Sequence, residues 1–177
     1  LEEANMHFVK SLLVGASLAG LVAVSPAMAS GNVKVDGSRF SMEVPSGWNP
    51  GYKDLDNLFM IFFKDSKSGA VLEGVYVRGA QDAKFTLKDF KKARVDQQNK
   101  AYEGKHHKVA KEGDATMGGA KGNYILTTWK EGDKNMEKHT AQHLKDGHRY
   151  MVVMWGEKGK VDKKVFDHAV SSFALAK

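Results

Sequence analysis

Residues 150–155, Tyr-Met-Val-Val-Met-Trp, form a nearly unbroken apolar run, preceded by Asp146-Gly147 and followed by Gly156. A strand buried on one face alternates apolar and polar side chains, whereas one covered on both faces reads as a continuous apolar run. The run therefore predicts an interior strand. Asp146-Gly147 is a two-residue hairpin signal, so 138–144 becomes its neighbour, and 136–144 pairs in turn with 124–129 through Glu131-Gly132-Asp133. In 39–44 the alternation puts Phe40, Met42 and Val44 on one face, and Pro45-Ser46-Gly47 ends that strand in a turn. Trp48 follows as a lid on the core. A second apolar run, 58–63, turns at 64–69 and returns as 70–78, with Val71, Glu73, Val75 and Val77 on one face and Leu72, Gly74 and Tyr76 on the other. Residues 106–117 are polar and alternating, as an edge strand is.

At 85–90 the period changes. Thr86 is a helix N-cap with Asp89 three residues on, a relative of the capping box, and Phe85 can staple to Phe90 across the first turn. The predicted helix runs to Tyr102 and stops before Gly104. A second helix is predicted over 161–173, where Val161, Val165, Phe166, Ala169, Val170 and Phe173 make one apolar stripe behind an Asp162 cap. Together these elements predict an α+β domain: an antiparallel sheet of about six to seven strands between helical layers, an α/β/α sandwich.

The amino-terminal region has a different character. Between Ser11 and Val33 no residue is charged, Leu12 to Val24 is strongly apolar, Lys10 precedes it, Pro26 breaks it and Ala27-Met28-Ala29 follows. This is the three-part pattern of a secretory signal peptide, with cleavage expected after Ala29. The thirteen residues of this stretch span only ~20 Å at ~1.5 Å per residue, short of a ~30 Å hydrocarbon core, so a retained anchor is the weaker reading. Glu2 and Glu3 stand where a basic region belongs, which makes Met6 the expected start and 1–5 a prefix. The expected organisation is a signal peptide over 1–29, a flexible lead-in over 30–38 and one domain over 39–177. The expected location is periplasmic or extracellular, with no stable membrane span in the mature form.

Composition narrows the chemistry. The chain lacks cysteine, which excludes disulfides, thiolate–metal sites and cysteine nucleophiles. It carries +6; residues 1–29, with Glu2, Glu3 and Lys10, contribute −1, so residues 30–177 carry +7. A basic surface attracts nucleic acid, anionic lipid and acidic protein alike. On the first helix Lys88, Lys91, Lys92, Arg94 and Lys100 make a basic surface interrupted by Asp89 and Asp96. Lys88, Lys91, Lys92 and Arg94 are the candidate partner-binding residues; the intervening acids fit a solvated helix back, and no nucleic acid is expected.

Histidine is the remaining unusual resource. His139 and His143 have the spacing of a helical metal site, but on a strand four residues extend ~13 Å, so they do not chelate one ion together. His106 and His107, either one of them with a carboxylate such as Glu103, are the candidate metal ligands. Gly118-Gly119-Ala120-Lys121-Gly122 lacks the Ser or Thr that follows a phosphate-loop lysine and reads as a turn. No Gly-x-Ser-x-Gly is present; Ser46, Ser66 and Ser68 are turn residues. Met42, Met60, Met151 and Met154 read as adaptable core fillers. No catalytic residue and no cofactor emerge.

Three segments taken in order, Phe40-Ser-Met-Glu-Val-Pro45-x-x-Trp48, the long helix after the first hairpin, and Phe166-Asp-His-Ala-Val-Ser-Ser-Phe173, give a chain that resembles the superfamily of the photosystem II extrinsic protein PsbP, periplasmic DcrB and a Ran-binding nuclear import factor. The resemblance covers the whole mature region. It implies an antiparallel sheet between two helical layers and a non-catalytic binding or assembly role, and it carries over no site residue. The expected function is that of an exported, non-catalytic accessory protein that binds a macromolecular partner or stabilises a cell-envelope complex. The alternative is a periplasmic small-ligand or metal-binding protein using surface histidines.

Overall fold

The computed structural model describes residues 23–24, 32–36, 39–78 and 86–176. Along them run β1 (Ala23–Val24), β2 (Asn32–Asp36), β3 (Phe40–Pro45), β4 (Asn49–Leu55), β5 (Leu58–Lys64), β6 (Val71–Val77), α1 (Leu87–Ala101), β7 (Lys108–Met117), β8 (Ala120–Glu131), β9 (Lys134–Lys145), β10 (His148–Glu157), α2 (Lys163–Ser172) and β11 (Ala174–Leu175). Seven strands form one antiparallel sheet in the order β4-β5-β6-β10-β9-β8-β7, and β1-β2-β3-β11 form a second, smaller one.

β10 lies between β6 and β9, as the apolar run at 150–155 predicts. Val152 and Met154 are buried on one face, Met151 and Val153 on the other. The turn into β10 places Asp146 and Gly147 at φ 52° and 75°, the two left-handed positions that a tight hairpin matched to strand twist demands.

The two faces are covered unequally. On one, β3 contributes Phe40, Met42 and Val44, and α2 contributes Phe166, Ala169 and Val170, to a core with Leu72, Val152 and Met154. That cluster holds 18 buried residues, whereas under α1 the corresponding cluster holds four: Val75, Phe90, Met151 and Val153. Since fully burying a side chain of this kind contributes ~1.5–3 kcal/mol, the α2 face is bound by hydrophobic packing far more strongly than the α1 face. The sandwich is therefore an α+β one, as expected, but its second outer layer is α2 joined by a small sheet rather than helix alone.

Other differences follow from what each segment can bury. The span 30–38, expected as a flexible lead-in, holds β2, which pairs with β3 and buries Val35. β4 was not foreseen because Asn49–Leu55 is almost wholly exposed and carries no apolar alternation. Its Pro50 suits an edge strand, and the ring of Phe62 in β5 lies against its Gly51. β7 begins at Lys108, so His106 and His107 occupy the turn after α1 rather than the start of the edge strand expected over 106–117. The glycine turn is confined to Gly118-Gly119; Lys121 and Gly122 already belong to β8. Of residues 1–29, read as an export segment, only Ala23–Val24 is described, as β1 against β2. The cleavage site after Ala29, the Met6 start and Phe85 of the helix staple lie outside the described residues. No described helix is long and apolar enough to cross a membrane.

Candidate functional site

α1 begins where the sequence places its start. The Thr86 side chain accepts from the Asp89 amide, and the Asp89 carboxylate accepts from the Thr86 amide at 2.9 Å, closing a capping box. Farther into the sheet, Asn123 of β8 donates to the Leu87 carbonyl across 3.1 Å and ties down the first turn.

With 3.6 residues per turn, Phe90, Arg94, Gln98 and Tyr102 fall on one stripe facing the sheet. Only the first is apolar. Phe90 packs on Val75, Met151 and Val153, and Gln98 is 2% exposed. Strand alternation presents Glu73 of β6, Thr127 and Trp129 of β8, Lys138 and Thr140 of β9, and Trp155 of β10 on that same sheet face. A helix is thus laid over its sheet largely through polar groups.

The contacts are specific. Trp155 Nε1 donates to Glu73 Oε1 at 2.8 Å. Lys138 Nζ donates to the Tyr102 hydroxyl at 3.2 Å, 5.0 Å from the Tyr102 ring centre and 5.6 Å from that of Trp129. Tyr102 stacks between His107 and Trp129, with ring centres 5.4 and 4.7 Å away. Arg94 donates to Gln97 Oε1 through Nη1. Among the described residues, none of Glu73, Arg94 and Lys138 makes an ion pair within 4.0 Å. Arg94 Nε, both amide atoms of Gln98, the hydroxyls of Thr127 and Thr140, Trp129 Nε1 and His107 Nε2 are buried without a protein hydrogen-bond partner. Each such group costs ~1–3 kcal/mol if left unsatisfied.

Burial dominates the protonation of this layer. It pushes the Glu73 carboxyl up, opposed by the Trp155 hydrogen bond and the charges of Lys138 and Arg94. It brings the Lys138 ammonium down to about 7, helped by repulsion from Arg94 and opposed by Glu73. Arg94 and His107 are lowered and the Tyr102 phenol raised, again chiefly by desolvation.

The candidate partner-binding residues separate. Lys88 is exposed, Lys91 pairs with Glu112 of β7 at 2.6 Å and Lys92 pairs with Asp96 at 2.7 Å, all at the surface. Arg94 departs from them: four residues after Phe90, it is half-buried, with Nε buried and Nη1 donating to Gln97. The candidate metal ligands also stand apart. His106 is exposed at φ 52°, while His107 is half-buried with Nδ1 2.9 Å from Asn99 Oδ1. His139 faces the α2 core and meets the Tyr124 hydroxyl at 2.8 Å, and His143 Nδ1 donates to the Lys121 carbonyl at 2.8 Å. Among the described residues no three His, Asp or Glu side chains are grouped to hold one ion. The polar layer under α1 was missed, yet it left two signals: one acid on the valine face of 71–77, and Arg94 and Gln98 in register with Phe90.

No protein-family model matches the chain. No curated protein matches it. Solved structures do. The solution structure of cyanobacterial PsbP from Synechocystis sp. PCC 6803 superposes with a TM-score of 0.62 over 91% of this chain and 98% of that one, at 14% identity. The fold is PsbP-like. A crystal structure from Bacteroides thetaiotaomicron VPI-5482 superposes with a TM-score of 0.53 at 14% identity over 78% of this chain. This chain spans only 45% of that protein's length. At such identities the PsbP likeness concerns architecture, so any site must be argued from this chain's own residues.

Proposed function

We propose that this is an exported, non-catalytic accessory protein that binds a macromolecular partner or stabilises a cell-envelope complex. The observation that carries the reading is the end-to-end correspondence of its fold with PsbP, 91% of one chain against 98% of the other, joined to the export pattern of residues 1–29. The partner surface in this reading is the solvent side of α1, where Lys88, Lys92 and Lys100 are exposed. Lys91 lies beside them, held by Glu112. Exposed lysines of this kind steer encounter with an acidic surface more than they hold the final complex.

Affinity capture from an envelope extract, with the protein beginning at Ser30 as bait, tests the reading. One reproducible partner at stoichiometric recovery, lost when Lys88, Lys92 and Lys100 are reversed to Glu, supports it. Capture that is indifferent to those lysines moves the surface elsewhere, and recovery of no partner removes the reading.

A further inference from the structure

We propose that the layer between α1 and the sheet is a binding site for a small oxyanion, held by Arg94, Lys138 and Gln98. The charged groups reaching this layer are Glu73 from β6, Arg94 from α1, Lys138 from β9 and Arg149 from β10, with Tyr102 and His107 at its end. Arg94 and Lys138 thus share the layer with Glu73, and Glu131 acts on Tyr102 at its end. One oxygen of Glu73 accepts from Trp155; its charge acts on both Arg94 and Lys138, with no ion pair to either within 4.0 Å. A buried lysine and a half-buried arginine that repel each other, with no ion pair to either among the described residues, carry a desolvation cost that a bound anion would offset.

Donor geometry agrees with the charge. Arg94 Nε and the Gln98 amide are buried, unpartnered and on the helix stripe that faces the sheet, and the hydroxyls of Thr127 and Thr140 face them unpartnered from β8 and β9. A carboxylate or phosphate accepts several hydrogen bonds at once, and guanidinium is the side chain best shaped to give two of them. Burial also drives Glu73 toward its neutral form, which lessens its repulsion of an anion, and a bound anion would restore the charge that burial takes from Lys138. The apolar cluster under α1 is smaller than that under α2, which leaves the helix the easier layer to part for entry. This inference stands apart from the partner-binding reading, since it uses the inner rather than the outer side of α1.

Calorimetric titration of the full chain with sodium phosphate and with sodium acetate, at pH 6 and constant ionic strength set by chloride, tests it. Saturable one-to-one binding is expected, weakened at least tenfold by Arg94→Gln and by Lys138→Met and unchanged by Lys92→Gln on the outer face. Preference between the two salts distinguishes a phosphate from a carboxylate site. Gln98→Met, which keeps the charges and the volume, should weaken binding several-fold even where a charge variant fails to fold. Absence of saturable binding to either salt, or equal binding by parent and Gln98→Met, overturns the proposal and leaves the layer to ordered water.

Discussion

Lys138 donates to the Tyr102 hydroxyl at 3.2 Å with its ammonium over the Tyr102 ring, so a lysine from mid-sheet is clasped by the residue that ends α1. Lys138 is 6% exposed and its folded-state value is brought down to about 7 from 10.5. Between those values the unfolded chain binds a proton that the folded protein does not. This group's contribution to stability therefore rises with pH across that window, and its full penalty is present below about 7. In chloride buffer, the stability of Lys138→Met relative to the parent should move in the variant's favour as pH falls from 10 to 6, by on the order of 1 kcal/mol for each pH unit crossed inside that window. Urea midpoints at pH 6, 8 and 10 measure it; a pH-independent difference contradicts it.

His139 is buried against Tyr124 and Phe166, and desolvation lowers it from 6.5. Below about 6.5 the unfolded state gains a proton that the folded state resists, so stability falls with pH until the folded value is passed. His139→Gln should flatten the melting-temperature profile between pH 7.5 and 5. Any slope that remains belongs to His107, lowered in the same sense, and above about pH 7 to Lys138.

Gly118 and Gly119 sit together in the β7–β8 turn at φ 57° and 80°. A Cβ on Gly118 runs into the Phe173 carbonyl, whereas one on Gly119 meets nothing within 4 Å. Gly119→Ala should cost ~1–2 kcal/mol, the left-handed backbone penalty alone. Gly118→Ala should cost clearly more, because the carbonyl belongs to the chain leaving α2 and yields only by moving backbone. Equal denaturation midpoints for the two variants would contradict the contact.

Val153 is 1% exposed in the central strand. Val153→Asp buries an unpaired charge, which costs several kcal/mol against a typical total stability of ~5–15 kcal/mol. No cooperative thermal transition should survive in the variant.

Charge reversal on α1 should split by face. Lys88→Glu, Lys92→Glu and Lys100→Glu together should leave the melting temperature within a few degrees and slow association with an acidic partner, an effect that fades as the Debye length falls from ~10 Å at 0.1 M salt to ~3 Å at 1 M. Arg94→Glu should instead loosen α1 itself, visible as faster amide exchange in residues 87–101. Equal exchange in the Arg94→Glu protein would place Arg94 back on the outer face.

Strand 150–155, the hairpin at Asp146-Gly147, the Thr86–Asp89 cap and the apolar stripe of α2 were legible from the chain alone, because each depends on local periodicity or on a turn's backbone demand. The antiparallel succession β8-β9-β10 followed from the same signals, whereas β6 on the other edge of β10 did not. β4 and β2 were not legible as strands: one is nearly all exposed and the other short, and both exist because a neighbouring strand offers its edge. Nor did the chain show that Arg94 belongs with Glu73, Lys138 and Gln98, separated by up to 65 positions. A lysine read along a sequence is by default a solvated one. Only the packing of α1 across β6, β10, β9 and β8 buries that lysine and half-buries that arginine beside it, and burial, not residue type, is what sets their chemistry.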